Sequence, residues 1–363
     1  MKNLETINIS QYGYSILQIE TMSVCNMRCR FCAFPVRNDK GEVLPEDIVY
    51  SVIDSLHTDD SFEYICFSHF NEPLLDNRIY DFVKYAKDRK LPVLIITNGL
   101  MFDSEDVIRK LITANPDQIK ISLQTLSESD FCSVRGIDRS FSEYRNGIFE
   151  FLKRAHGSSS KISIDIACNF MTGSRKLQST LFGMERGDPS VYNRIVDLRD
   201  DVRSFFDELY NYDNRFNLKN SEIDKYLDKA NLDYLHQVGF NITENISLKI
   251  KPFMFGKKLT EFFPVKEKEG IGCTNRMLGI LASGKVVPCC LAYDDMLTMG
   301  NIKEESLQKI LEKRNSWLKS IRHGIGLQLV CKRCLGAPTK RGAVMQPIKT
   351  KFLNDLSGLK KIR

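Results

Sequence analysis

The 363-residue chain reads as an α/β protein built on a parallel sheet. Three observations predict this. Short apolar runs alternate with amphipathic segments through the first half, and the runs end in polar or turn residues. One run, Pro92 to Thr97, is almost continuously apolar. A strand covered by helices on both faces carries that last pattern. The βα rhythm implies right-handed crossovers and leaves a barrel and an open doubly wound sheet as alternatives.

Tyr14 to Glu20 is the first apolar run and leads directly into a cysteine-rich loop. Leu44-Pro45-Glu46-Asp47 opens a helix, with proline and acids in its first turn, and Ile48, Val52, Ile53 and Leu56 form its buried stripe. Tyr64 to Ser68 is the next strand, and Ile79, Phe82, Val83 and Ala86 mark the next helix. Pro92 to Thr97 ends in the turn signal Asn98-Gly99. A helix over roughly Ser104 to Ala114, a strand around Ile119 to Leu123, a helix from about Phe141 to Ala155 and a strand from Ile162 to Ala167 follow.

The rhythm then weakens. Residues 171–241 hold charged helical material, Val191 to Tyr210 and Ser221 to Gln237, either a cap over the sheet's C-terminal edge or ordinary helices before a sixth strand, Ile246 to Phe253. From about Gly256 the pattern changes to short hairpins and one helix. Leu307, Ile310, Leu311 and Trp317 in that helix recur at helical spacing and read as a core stripe. The expected division is residues 1–255, residues 256–337, and a basic tail over 338–363.

A net charge of +6, spread along the chain, does not imply a nucleic-acid partner. No apolar run is long enough to cross a bilayer, and the polar start MKNLETINISQ lacks a signal-peptide core, so a cytoplasmic protein is expected. In that reducing compartment eleven cysteines point to metal binding or catalysis, not disulfides. Seven fall into recognisable spacings and leave Cys66, Cys132, Cys168 and Cys290 over.

Cys25, Cys29 and Cys32 form a C-x3-C-x2-C arrangement just after the first strand. Three thiolates this close can hold three corners of a cubane cluster and leave the fourth iron open. An open iron is useful because the amino and carboxylate groups of methionine can chelate it. A zinc site would want a fourth protein ligand and normally uses paired C-x2-C spacings.

On this motif, including Phe31 before the third cysteine, the chain resembles the radical S-adenosylmethionine superfamily up to about residue 255. The resemblance implies a partial (β/α)6 TIM-type barrel with the cluster at the C-terminal end of the first strand. It also implies the cofactor-binding residues. Phe70-Asn71-Glu72-Pro73 looks like the family's glycine-glycine-glutamate-proline turn, which gives Glu72 the methionine amino group. Asn71, standing where glycine is usual, is expected to take an unusual backbone angle. Thr97-Asn98-Gly99 resembles the third-strand end that lines the cofactor cleft. Ser122, in Ile121-Ser122-Leu123-Gln124, resembles a cofactor hydrogen-bond donor, and Arg135-Gly136 resembles an element that pairs with the methionine carboxylate. The implied cofactors are a [4Fe-4S] cluster with an open iron site and S-adenosyl-L-methionine. The implied chemistry is a 5′-deoxyadenosyl radical that removes a hydrogen atom from an unactivated C–H bond.

Cys273, Gly284, Cys289 and the Cys331-Lys332-Arg333-Cys334 pair, with Met299-Gly300-Asn301-Ile302 between them, resemble the SPASM/twitch auxiliary-cluster extension, a small α+β domain. No cysteine follows Cys334, so one auxiliary iron–sulfur cluster, on Cys273, Cys289, Cys331 and Cys334, is implied. The same four thiolates also describe a zinc ribbon. Such a cluster exchanges electrons, as in the aminocyclitol dehydrogenase and sulfatase-maturating relatives. Cys290 sits where the latter carry a base, so it is a candidate catalytic thiol, base or hydrogen-atom donor, or simply a buried residue or alternative ligand. Cys168 poses the same choice, and Asp165 and Asn169 are candidates to touch substrate.

The reading is therefore a dehydrogenase-type enzyme acting on a small hydroxylated molecule such as a sugar or aminocyclitol. A flavodoxin or ferredoxin-like reductant is the expected partner. The cluster motif begins at residue 25, which leaves no room before it for a peptide-recognition domain and favours a small molecule. The alternatives are a radical epimerase, a peptide- or protein-modifying enzyme, and a non-catalytic metal-binding protein.

Overall fold

The computed structural model describes residues 6–168, 195–228, 240–252, 262–266, 272–336, 340 and 343–344. Within them a ten-stranded sheet runs in the order β10-β9-β8-β1-β2-β3-β4-β5-β7-β6. Its strands are β1 (Ile16–Ile19), β2 (Tyr64–Cys66), β3 (Val93–Thr97), β4 (Gln118–Gln124), β5 (Lys161–Cys168), β6 (Phe240–Asn241), β7 (Ile246–Pro252), β8 (Met277–Ile280), β9 (Lys285–Val287) and β10 (Gly300–Asn301). From β8 through β1 to β5 and β7 neighbouring strands are parallel, and β6, β9 and β10 add antiparallel edges. The two edge strands do not pair, so the fold is an open, partial barrel and not a closed one.

Helices follow the strands where the sequence places them. They are α1 (Glu46–Ser55), α2 (Ile79–Asp88), α3 (Glu105–Ala114), α4 (Glu128–Arg135) and α5 (Phe141–Ala155). Then come α6 (Ile195–Tyr212), α7 (Asn220–Asp228), α8 (Leu307–Arg322) and α9 (Leu329–Cys334). Their starts are chemically marked. Ser104, Ser127 and Ser306 each accept a hydrogen bond from a backbone N–H three residues on, at Val107, Asp130 and Lys309, which satisfies one otherwise orphaned donor. In α8 the stripe of Leu307, Ile310 and Leu311 is buried, with Trp317 packed beside it.

Three elements escape periodicity: α4, β6 and the six-residue α9, a second helix where the C-terminal segment is expected to hold one. The eight-residue α4 is too short to show a pattern, and it forms because Phe131 stacks on Tyr144 and Phe141 of α5. The two-residue β6 exists only as a partner of β7. Of the helices expected within 171–241, the described parts are α6 and α7; residues 169–194 and 229–239 lie outside the described residues, as does nearly all of the basic tail. The largest difference is β8. It belongs to the C-terminal segment yet pairs with β1, Ile16 opposite Met277 through Ile19 opposite Ile280. The second cysteine group is thereby built onto β1, with Cys273 just before β8 and Cys289 just after β9, at the opposite end of the strands from the first group.

A buried ion pair secures this junction. Arg37 donates to both carboxylate oxygens of Glu20, at 2.5 and 2.9 Å, and both side chains are fully buried. Glu20 ends β1, Arg37 follows the cysteine loop, and the Ala282 N–H beyond β8 donates to the same carboxylate at 3.2 Å. One carboxylate thus ties both ends of the loop to the C-terminal segment. On the far side, Arg322 of α8 lies 4.9 Å over the Tyr14 ring and donates to the carbonyls of Gly13 and Asn275.

Candidate active site

Cys25, Cys29 and Cys32 lie in the loop after β1, at the C-terminal end of the parallel strands, where barrel enzymes place their chemistry. The loop is clamped against α4. The Arg28 and Arg30 N–H groups donate to the carbonyls of Arg135 and Val134, at 3.1 Å each. Gly136 makes that approach possible: its φ is +63°, and a Cβ there would sit 2.2 Å from the Arg28 carbonyl oxygen. Gly136→Ala is therefore expected to cost at least about 1–2 kcal/mol of stability. It should also lower the iron held by the first thiol group, measured by urea unfolding and iron analysis of the anaerobic protein.

Cys29 is buried, and Cys25 and Cys32 are half-buried. Burial pushes Cys25 up to about 12 and Cys32 up to about 11, and also raises Cys29. The free thiols are thus protonated, and a metal must displace those protons to bind. The Phe34 N–H donates to Cys32 Sγ at 3.4 Å, and Asn98 Nδ2 lies 3.8 Å from Cys25 Sγ while donating to Asn26 Oδ1 at 2.8 Å. Asn98 is held in turn by its N–H on Glu72 and by Tyr144, whose hydroxyl donates to the Asn98 carbonyl at 2.6 Å.

Arg135 is almost wholly buried, and its Nε and Nη2 atoms have no hydrogen-bond partner. Burial works against its charge, but Cys29, Tyr144, Cys25 and Glu72 outweigh it and raise the guanidinium above its ordinary value. A buried, unpaired cation is costly unless negative charge stands beside it. Deprotonated thiolates at Cys25 and Cys29 supply that charge, so the donor set fits an anionic thiolate cluster.

Glu72 is buried and pushed up to about 7 by that burial. Its Oε1 accepts from Thr97 Oγ1 and the Leu74 N–H, at 2.7 and 3.2 Å, and its Oε2 accepts from the Asn98 N–H at 2.7 Å. Glu72 therefore already joins the ends of β2 and β3. Asn71 corrects one expectation. It has no positive φ; its Oδ1 accepts from the His69 N–H at 2.9 Å, and this side-chain turn replaces the freedom of a glycine. Ser122 sits in β4, its hydroxyl accepting from Gln124 Nε2 at 2.5 Å. Gln124, at φ +70° on a register shift, is a strained residue that the sequence did not single out. Phe31 is partly buried against the core.

The second thiol group draws on three elements: Cys273 before β8, Cys289 and Cys290 after β9, and Cys331 and Cys334 one helical turn apart on α9. Cys273 is fixed by its N–H on the Ile321 carbonyl at 3.0 Å. Burial raises Cys289, and pushes Cys331 up to about 11 and Cys334 up to about 12. Cys273, Cys289, Cys290 and Cys331 all act electrostatically on Cys334, so the five sulfurs share one region. Cys290 lies 3.7 Å from Asn275 Oδ1, and its thiol is pushed up to about 12 by burial. Among the described residues no group of three His, Cys, Asp or Glu side chains meets the spacing for a single metal ion. The side chain of Cys168 and all of Asn169 lie outside the described residues.

Residues 19–174 match the family model of the radical SAM superfamily, and residues 273–335 match that of SPASM, an iron–sulfur cluster-binding domain. The chain carries a radical SAM domain followed by a SPASM domain. The cofactors of these domains are [4Fe-4S] clusters and S-adenosylmethionine. The radical SAM domain supplies the first thiol loop, and all four C-terminal cysteines of the implied ligand set fall within the SPASM domain.

The chain is 33% identical over 111 residues to an S-adenosylmethionine-dependent nucleotide dehydratase of Lacinutrix mariniflava, covering 29% of this chain and 22% of that protein. It is 26% identical over 110 residues to the tungsten-containing aldehyde ferredoxin oxidoreductase cofactor-modifying protein of Pyrococcus furiosus, covering 30% and 31%. Each match spans less than a third of the relative's own length. The solved structure of native anSMEcpe with bound AdoMet aligns over 96% of this chain and 100% of that one, at 14% identity and a TM-score of 0.50, which shows a shared fold. No described helix is long and apolar enough to cross a membrane.

Proposed function

We propose that this radical SAM enzyme oxidises a hydroxyl-bearing small molecule, with Cys25, Cys29 and Cys32 holding the cluster that meets S-adenosylmethionine. Cys273, Cys289, Cys331 and Cys334 would hold an auxiliary cluster. The observation that carries the reading is the β1–β8 pairing, which joins the strand leading into the first thiol loop directly to the strand between Cys273 and Cys289. Phe70, at the end of β2, meets Tyr293, four residues after Cys289, edge to face at 5.7 Å, so packed side chains connect the two regions.

When bound, these groups would supply a radical that takes a hydrogen atom from a carbinol carbon and an acceptor for the electron released as that carbon, losing its hydroxyl proton to solvent, becomes a carbonyl. The protein's own residues do the rest. Arg135 places positive charge beside Cys29 and is suited to the methionine carboxylate. Asn98 and Ser122 line the same end of the sheet as candidate cofactor contacts, Phe31 backs the cysteine loop, and Glu72 orients Asn98 while keeping one oxygen lone pair for the methionine amino group. The small-molecule reading is in keeping with the nucleotide named for the Lacinutrix relative. A flavodoxin or ferredoxin-like protein is the proposed electron source.

Anaerobic reconstitution with reductant and S-adenosylmethionine tests the proposal. The expected results are about eight irons per chain and formation of 5′-deoxyadenosine. Absence of 5′-deoxyadenosine from iron-replete protein would overturn it, and zinc in place of half the iron would remove the electron acceptor. Cys290, beside Cys289, supports a second reading, epimerisation with the thiol as hydrogen-atom donor. Turnover in deuterated water separates the two, because an exchangeable thiol delivers deuterium to the product and oxidation does not.

A further inference from the structure

Strands buried on both faces of a parallel sheet are apolar throughout, as β3 is, but β4, β5 and β7 are not. They alternate strictly, and Ile121, Ile164 and Leu248 represent the face that packs into the hydrophobic core with the helices. The opposite face is polar. Because successive side chains point to opposite sides, it carries Lys120 and Ser122 from β4, Ser163 and Asp165 from β5, and Ser247 and Lys249 from β7.

The register sorts these six into two rows across the strands. Lys120, Ser163 and Ser247 stand side by side, and Ser122, Asp165 and Lys249 form the next row towards the C-terminal end, where the cysteine loop lies. Neighbouring strands are about 4.8 Å apart and successive rows about 7 Å, so two lysine side chains from these rows can converge on one group. Lys120 falls on this side by the alternation of β4, between the buried Ile119 and Ile121, and is half-buried. Lys249 is half-buried and stands opposite Asp165 in the register. The Ser163 hydroxyl between them is buried without a hydrogen-bond partner. Two partly buried lysines around an unsatisfied hydroxyl form a poor hydrophobic wall and a good oxyanion site, because charge-assisted hydrogen bonds are the strong ones.

We propose that Lys120, Ser163 and Lys249 recognise an oxyanion carried by the substrate, a phosphate or a carboxylate, on the polar face of β4, β5 and β7. This rests on the small-molecule reading above and names the substrate class. The hydroxylated carbon to be oxidised then belongs to an anionic molecule, and Asp165, in the middle of its row and directly opposite Lys249, limits the site to a single negative group held on the Ser163 side.

The test uses the cluster-reconstituted protein saturated with S-adenosylmethionine, under anaerobic conditions and constant ionic strength. Inorganic phosphate, succinate and glucose are titrated separately and followed by calorimetry and by the thermal midpoint. Phosphate, succinate or both should bind and glucose should not; the arm that responds identifies the oxyanion. Lys120→Met and Lys249→Met should each weaken that binding by about tenfold or more, and Lys249→Arg should retain it. Ser163→Ala should weaken it less. Iron content and the affinity for S-adenosylmethionine should stay at the level of the parent protein. If Lys249→Met does not fold, Lys249→Gln takes its place.

Equal binding of glucose, no binding of either anion, or lysine variants that bind anions as the parent does would overturn the inference. So would a parallel loss of S-adenosylmethionine affinity, which would assign the lysines to the cofactor. Failure of the oxidation reading looks different: anion binding persists, and no substrate loses hydrogen to a carbonyl product.

Discussion

Arg37→Met is expected to destabilise the protein by about 3–5 kcal/mol, the usual consequence of leaving one member of a buried ion pair alone. The reason is geometric. Glu20 is fully buried and receives two hydrogen bonds from the Arg37 guanidinium and a third from the Ala282 N–H. Removing the guanidinium leaves a buried carboxylate with one donor, and Asp39 loses its 2.6 Å contact with Arg37 Nε. The double variant Glu20→Gln/Arg37→Met should recover much of the loss, because the glutamine oxygen still accepts from Ala282 and no charge is stranded. Urea unfolding of the anaerobic holoprotein checks both. A single variant as stable as the parent would show that the pair does not hold the junction. Because the pair closes the base of the cysteine loop, Arg37→Met should also reduce the iron bound there.

Cys29→Ser is expected to abolish 5′-deoxyadenosine formation while leaving about four irons per chain, those of the second cluster. Cys29 is the most buried of the three thiols in its loop and lies beside the unpaired Arg135. A serine hydroxyl neither ligates iron as a thiolate does nor carries the charge that the guanidinium needs. Cys334→Ser should give the complementary result, with cofactor cleavage retained and oxidised product lost. Iron analysis with chromatographic measurement of both products separates the two. Retained 5′-deoxyadenosine in Cys29→Ser would remove this thiol from the cluster, and oxidised product from Cys334→Ser would remove the auxiliary site from the electron path.

Much of the architecture was legible because its signals are local. Strands β1 to β5 and β7, and helices α1, α2, α3 and α5, each announce themselves within about ten residues, through hydrophobic period, a proline or a capping serine. The elements that are not legible are too short for a hydrophobic period, even where a capping serine such as Ser127 marks the start. Helix α4 depends on aromatic packing against α5, and β6 is two residues long. The polar face of β4, β5 and β7 is written in the alternation of QIKISLQ and KISIDIAC, but its facing depends on where the helices pack, and of its residues only Ser122 and Asp165 carry a signal in the sequence.

By itself the sequence points to the chemistry of the first site. Three cysteines within eight residues can only hold something close to the backbone that spaces them, so C-x3-C-x2-C carries its meaning wherever the loop lies. Tertiary structure decided what surrounds that loop. Arg135, more than a hundred residues away, becomes its buried counter-charge, and β8, some 260 residues beyond β1, becomes its neighbour in the sheet. A strand pairing or a buried charge is settled by residues distant in the chain, and no local spacing records which of them will meet.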